Sequence, residues 1–405
     1  MADLLFLTQR IPYPPIKGEK IRPLQILRHL RETHNIHLGC LVDDPHDVQY
    51  IETVEKLCKS SHFAQIDRSR AKISCLTGLL TGEPLSVVFY RDRGLANWVR
   101  HVIKDIKPQI IFVSSSNMTP YILDLRTDAM RCMVDLIDVD SEKWRSYAEV
   151  GSFPMNWVYR REWHRVADLE ARIARECDWS VFVSDAEAAL FRKLQPQFAD
   201  KIRAVSNGVD LDYFDPARRF EAPYATDSAN YVFTGTMDYP PNVDAVIWFA
   251  RDILPVIRAS IPGAQFHIVG ANPAPQVKAL ESIKGVFVSG RVPDVRPYVA
   301  HATACVAPMR IARGIQNKVL EAMAMGRPTV VTADALEGIK AVPGADLLLA
   351  DGAADFAKAC LACAEPGAAA IGDAARRRVV QDFAWPQQLE RFDTILNERK
   401  NAPVL

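Results

Sequence analysis

Short, nearly continuous apolar runs alternate with helical patterns along almost the whole chain, and no other feature limits its fold as strongly. In the first half these runs are DLLFLTQ (3–9), IHLGCLV (36–42), HFAQI (62–66), QIIFVSS (109–115), RCMVDLID (131–138) and WSVFVSD (179–185). In the second they are YVFTG (231–235), FHIVGA (266–271), GVFVSG (285–290), ACVAP (304–308), TVVTA (329–333) and DLLLA (346–350). Strands that are apolar on both faces and separated by helices belong to parallel sheets covered on both sides. The rhythm therefore predicts an α/β chain with two Rossmann-like sheets, and 405 residues suffice for two domains with separate cores. We expect a first domain over 1–206, a linker over 207–228, where Asp, Pro and Ala accumulate without period, and a second domain over 229–382. Residues 383–405 should form a terminal helix, with Leu389, Phe392 and Leu396 on one face.

Lys plus Arg equals Asp plus Glu at 49 each, which argues against a nucleic-acid coat and confines any polyanion site to a local patch. The start, MADLLFLTQR, has no basic n-region, and no stretch approaches the roughly 18 apolar residues of a membrane span. A cytoplasmic protein is expected, with peripheral contact to the inner membrane or a biosynthetic complex left open. The eight cysteines are too sparse for a disulfide scaffold, and Cys360 and Cys363 form a lone CxxC on a predicted helix.

The most informative charges lie between Ala304 and Thr332, which read as strand, loop, helix (about Gln316 to Met325) and strand. Arg310, Arg313 and Lys318 crowd the start of that helix, where the macrodipole disfavours cations. An anion received by the free helix N–H groups would relieve the conflict, with Gly314 allowing close approach. Glu321 follows Lys318 by three residues. It serves either as an i,i+3 partner of Lys318 or as an acceptor for two sugar hydroxyls. In the first half, Lys17, Gly18 and Lys20 sit in the loop after the first strand, which lacks G-x-G-x-x-G spacing. Asp135, Asp138 and Asp140 end another strand. Two stretches are unusual in composition. WVYRREWHR (157–165) interleaves aromatics and arginines, fitting contact with a bilayer surface or an ordinary helix with snorkelling arginines. LTGLLTGEPLSVVFYRDR (76–93) is apolar and Gly-broken, and either lines a binding site or caps the core.

KVLEAMAMGRPTVVT, with EGI at 337–339, resembles the donor-nucleotide signature of retaining glycosyltransferases of family 4, whose fold is GT-B. SNGVD (206–210) is similar to the interdomain NGVD of the same family. The resemblance implies two Rossmann-like domains facing each other across a cleft, with the last helix crossing back onto the first domain. It places Gly235 and Thr236 at the donor diphosphate and Arg291 and Val292 at the nucleobase. Gly314 and Ile315 join them as donor contacts, and Glu321 is carried to the ribose hydroxyls. Lys17, Gly18, Lys20, Asp138 and Asp140 become cleft or acceptor candidates. Asp138-Val139-Asp140 copies the metal-binding DxD of the GT-A fold, but GT-B enzymes usually need no metal, so none is expected, nor any cofactor beyond the sugar nucleotide itself.

Two departures stand out. The first of the family's paired glutamates falls on Arg313, and its basic pair falls on Thr236 and Pro241. Arg310, Arg313 and Lys318 are then the cations available to the leaving diphosphate. KGEKIR, DVDSEKW, TGTMDYPPNVDAV, RIARGIQNKVLEAMAMGRP and EGI together resemble sugar transferases of PEP-CTERM/exosortase exopolysaccharide clusters. The implied reaction moves a hexose, with retention, from a UDP- or GDP-linked donor to a glycan or polyprenyl-linked acceptor, without nucleic acid. The rivals are a GT-B sugar-nucleotide epimerase and a non-catalytic nucleotide-sugar scaffold or sensor.

Overall fold

The computed structural model describes residues 1–15, 18–225, 227–312 and 314–398. Their strands form two fully parallel sheets, one in each of two compact units. Unit 1 is Met1–Ser206 together with the chain from Leu389, and unit 2 is Asn207–Gln388.

Unit 1 carries β1 (Ala2–Thr8), β2 (His34–Val42), β3 (Ser60–Gln65), β4 (Ile110–Ser114), β5 (Arg131–Ile137), β6 (Trp179–Phe182) and β7 (Ile202–Ala204). Their order is β3-β2-β1-β4-β5-β6-β7. Leu4, Leu5, Phe6 and Leu7 are all sealed from solvent, which is why β1 reads as an unbroken apolar run rather than an alternation. The rhythm misses β7, a three-residue edge strand in which only Ile202 is buried. At the carboxyl end of β5 the register shifts, and the β-branched Ile137 takes φ 71°, a conformation costly for its type.

A buried ion pair ties unit 1 together. Arg22, on the helix Gly18–Leu30, grips Asp135 of β5 through Nε–Oδ2 and Nη2–Oδ1 bonds of 2.8 Å each. Its Nη1 donates to the Val205 carbonyl at 2.9 Å, and the guanidinium lies 5.3 Å from the Phe392 ring on the helix Trp385–Asn397. Three other chain segments thus converge on the cation that the helix Gly18–Leu30 carries.

Unit 2 carries β8 (Asn230–Thr234), β9 (Gln265–Val269), β10 (Val286–Gly290), β11 (Ala304–Ala307), β12 (Thr329–Val331) and β13 (Leu348–Leu349), in the order β10-β9-β8-β11-β12-β13. The helix predicted over 242–259 is instead Pro240–Trp248, a wider π turn over Phe249–Ile253, and Leu254–Ser260. Pro255 offers no N–H to the carbonyl four residues back, so the regular ladder cannot run through. Gly326, just past the helix before β12, has φ 63°, the left-handed conformation in which helices commonly end. The 207–228 stretch packs along unit 2. Arg376 donates to the carbonyls of Phe214 (2.9 Å) and Ala324 (2.8 Å), and Gly208 abuts Trp385 so closely that a Cβ would lie 2.6 Å from the ring.

Strand order reverses between β1 and β4 in one sheet and between β8 and β11 in the other, and crevices at such points receive ligands outside the carboxyl ends of the strands. Among the described residues no helix is long and apolar enough to cross a membrane.

Candidate functional site

At the switch point of unit 2, two loops leave β8 and β11 side by side. The β8 loop begins with Gly235-Thr236. A Cβ on Gly235 would meet Asn242 Nδ2 at 2.7 Å, so only glycine lets that asparagine fold over the turn. Asn242 is buried on the helix Pro240–Trp248, and its Nδ2 donates to the Thr236 carbonyl at 2.9 Å. Its Oδ1 accepts from Lys318 Nζ at 2.6 Å. One amide thereby joins the turn to the cation of the neighbouring loop.

Lys318 is the second residue of the helix Asn317–Ala324, whose first turn has no side-chain cap. Besides Asn242, its ammonium lies 4.4 Å from the centre of the Phe233 ring and 3.8 Å from Met309 Sδ. Enclosure by protein pushes its pKa down to about 7, with the Glu321 carboxylate acting in the opposite sense. The same enclosure pushes Glu321 up to about 7, opposed by Lys318. The two are electrostatically coupled without an ion-pair contact among the described residues, and both keep a partial opening to solvent. Lys318 is held, underprotonated for a lysine, beside a helix start that offers N–H groups. An anion placed there would restore its charge.

Gly314 precedes the helix with φ 64°, and Ile315 is buried beside it. Arg310 forms a two-pronged ion pair with Asp244, with Nε–Oδ2 at 2.9 Å and Nη2 on Oδ1, and stacks 5.4 Å from Trp248. It is half exposed and committed to that carboxylate. Arg313 lies outside the described residues. Arg291 and Val292 follow β10 on the same edge of the sheet, Arg291 exposed and Val292 partly buried. Residues that the sequence reading passed over also frame Glu321. Tyr213, whose pKa is raised by burial and then by Asp294, feels the Glu321 charge, donates to Asp294 Oδ1 (3.3 Å) and stacks 3.7 Å from the Arg296 guanidinium. Asn242, which holds Lys318 rather than Glu321, was passed over too, and its signal is a polar side chain that the helix buries. Asn207 of the SNGVD stretch donates to Asn317 Oδ1 at 3.2 Å, anchoring the same helix start.

The candidates of unit 1 are less uniform. Lys17 lies outside the described residues. Gly18 opens the helix Gly18–Leu30, but Lys20 turns inward, donating to Asp47 Oδ2 (2.6 Å) and the Tyr13 carbonyl (3.3 Å), because a buried ammonium requires a counter-charge. Asp138 and Asp140 lie past β5 in an acidic neighbourhood. Burial, then Glu187 and Asp140, push Asp138 up to about 7, and its Oδ1 is buried without a hydrogen-bond partner. Asp140 is raised by burial and accepts from Ser116 Oγ at 3.4 Å. Gln9, at the end of β1, accepts from Ser115 Oγ (2.6 Å) and Asn117 Nδ2 (3.3 Å), lining the other side of this switch point with polar groups. No three described His, Cys, Asp or Glu side chains converge as metal ligands.

Residues 228–365 match the family model of the glycosyl transferases group 1. Three solved structures similar to the chain are the sucrose-phosphate synthase of Thermosynechococcus elongatus, Alr3699/HepE of Anabaena in complex with UDP, and TarM. The synthase shares 18% identity at TM-score 0.70, over 97% of this chain and 98% of that one. The HepE complex shares 14% at 0.67, over 97% and 99%. TarM shares 12% at 0.66, over 98% and 99%. The fold is GT-B, with two Rossmann-like parallel sheets. No curated protein matches the chain in sequence.

Proposed function

We propose that the chain is a glycosyltransferase that holds a nucleoside diphosphate sugar on unit 2 and transfers its hexose, with retention, to a glycan or polyprenyl-linked acceptor of an envelope polysaccharide. The observation that carries this reading is the Lys318–Asn242–Thr236 chain of hydrogen bonds at the β8/β11 switch point, inside the segment that matches group 1. Similar folds are recorded in complex with UDP and with UDP-glucose, which supports a nucleotide-sugar donor.

As the bond from the anomeric carbon to the diphosphate oxygen breaks, its electron pair leaves on the phosphate, the acceptor oxygen bonds to that carbon on the same face, and the acceptor hydroxyl's proton passes to the departing phosphate. Lys318 and the free N–H groups that open the helix Asn317–Ala324 face that charge before it forms, so they need not reorganise. Glu321 accepts from the ribose hydroxyls, and the backbone of Gly314 and Ile315 follows the phosphates. Asp138 and Asp140 receive acceptor hydroxyls. The exopolysaccharide role, in a cytoplasmic PEP-CTERM/exosortase system, rests on the sequence resemblance.

A calorimetric panel of UDP, GDP, CMP and NAD against the full chain and Glu321→Ala tests the donor site. UDP or GDP should bind and weaken roughly 10-fold or more in the variant, as for a charged hydrogen-bond acceptor. Binding by NAD alone, or UDP affinity unchanged by the substitution, would refute the assignment.

Affinity for UDP should also peak near neutrality. Above pH ~7 Lys318 loses the proton that a phosphate needs, and below it Glu321 gains one and ceases to be a two-fold acceptor. Each limb should fall about 10-fold per pH unit once its group has titrated. A flat profile from about pH 6 to 8 would remove both groups from the site.

A non-catalytic nucleotide-sugar binder is the second reading, favoured by Arg310 being bound to Asp244 while Thr236 and Pro241 carry no charge. Such a chain would hold UDP yet release no sugar with any acceptor.

A further inference from the structure

The carboxyl ends of β1, β4 and β5, neighbours at the switch point of unit 1, carry a strip of polar side chains. Gln9 Oε1 accepts from both Ser115 Oγ (2.6 Å) and Asn117 Nδ2 (3.3 Å). That fixes the amide and leaves its Nε2 without a partner among the described residues. Ser116, next in the chain, donates from Oγ to Asp140 Oδ2 at 3.4 Å. Asp138 completes the strip, and its Oδ1 is buried with no hydrogen-bond donor to receive. A buried acceptor without a donor is costly unless a ligand supplies one. Ser115 at φ 85° and Ile137 at φ 71° also hold unfavourable backbone conformations at the ends of adjacent strands, as residues beside ligands often do.

The strip is short of positive charge. Asp138 feels Glu187 and Asp140 more strongly than it feels Lys143 or Arg22. Glu187 accepts from the Val139 amide at 2.7 Å, so a third carboxylate backs the turn that carries both aspartates. The cations at this end of the sheet are bound elsewhere: Arg22 to Asp135, Lys20 to Asp47, and Arg10 to Glu19 and Asp43. The situation mirrors unit 2, where an enclosed lysine lacks an anion.

We infer that this strip receives an uncharged sugar of the acceptor through adjacent hydroxyls, and rejects sugars that carry a carboxylate or phosphate. A hydroxyl both donates and accepts, so a pair of them matches the open acceptor at Asp138 Oδ1 and the open donor at Gln9 Nε2. An ionised sugar acid has no proton to give Asp138. Its charge would also meet Asp138, Asp140 and Glu187 while the cations just named are held by other carboxylates. Any phosphate of the acceptor therefore lies outside the strip. The inference rests on the acceptor role proposed for Asp138 and Asp140, and adds the charge that such an acceptor can carry.

The test is saturation-transfer NMR on the full chain in EDTA, with the methyl glycosides of glucose, galactose and mannose and of the corresponding uronic acids. At least one neutral glycoside should bind, and its uronide at least about 10-fold more weakly. Gln9→Ala should weaken the neutral glycoside about 3- to 10-fold, as for a lost hydrogen bond. Asp138→Asn/Asp140→Asn should bring the uronide to within about 3-fold of the neutral sugar, because the repelling charges are gone. The melting temperature is the control on folding, and both variants should keep the wild-type affinity for UDP. Glycoside binding in a chain that ignores UDP would leave the strip standing while the donor reading fell. UDP binding with silence from every neutral glycoside would do the reverse and overturn the inference. So would uronides that bind as tightly as neutral sugars, discrimination unchanged in the aspartate variant, or binding that appears only when manganese replaces EDTA, which would make the aspartates metal ligands.

Discussion

Lys318→Ala is expected to slow turnover about 10- to 150-fold, because a charged hydrogen bond to a leaving phosphate contributes roughly 1.5–3 kcal/mol. The lysine cannot be replaced by its neighbours. Arg310 is half exposed and already paired with Asp244, so Arg310→Ala should cost less than Lys318→Ala. Arginine is also a poor substitute at 318, where a compact ammonium lies 2.6 Å from Asn242 Oδ1 and 4.4 Å from the centre of the Phe233 ring and a planar fork would not keep both contacts. The measurement is steady-state transfer from the sugar nucleotide identified by the binding panel, with thermal melting as a control on folding. A fall in kcat with little change in KM would place Lys318 at the charge that develops during bond cleavage. Transfer at the wild-type rate would remove it from the leaving group altogether.

Arg22→Met is expected to destabilise unit 1 by about 3–5 kcal/mol, since it strands the Asp135 carboxylate in a dry core. Both side chains are sealed from solvent, so water cannot take the place of the guanidinium. The Val205 carbonyl would lose a donor as well. Arg22→Met/Asp135→Leu should recover most of the loss, because removing both charges also removes their desolvation cost. Thermal melts of the two variants, following the transition of unit 1, decide the matter. A single variant as stable as the wild type would mean that solvent reaches Asp135 after all.

The strands of both sheets were legible because parallel strands covered on two faces must be apolar throughout, as Leu4 to Leu7 are. β7 was not, since an edge strand with one buried residue carries no such run. Lys318 stood out as a cation at a helix start, a placement that needs a reason visible in the sequence itself. Asn242 was overlooked because PPNVDAVIW reads as an ordinary helix opening, and its bond to Lys318 spans 76 positions. The partners of Arg310 and Asp135 were equally hidden, 66 and 113 positions away. A helix pattern reports which face is buried, not which charge waits across the turn. The inward Lys20 shows the same limit, for KGEKIR looks like a solvated basic loop until Asp47 is found beneath it.

The helix Trp385–Asn397 is shared in an unusual way. From Leu389 onward the chain belongs to unit 1, whose Arg22 lies over Phe392, whose Phe112 ring is 5.9 Å from Phe392, and whose His29 bonds Asp393 at 2.7 Å. Unit 2 is contiguous from Asn207 to Gln388. During synthesis the usual order of domain completion is therefore reversed. The half translated first waits on the ribosome with an open seam over Arg22 and Phe112, while the half translated second already has all of its sequence. A chaperone that binds nascent apolar surface would meet unit 1, not unit 2, as its longer-lived client.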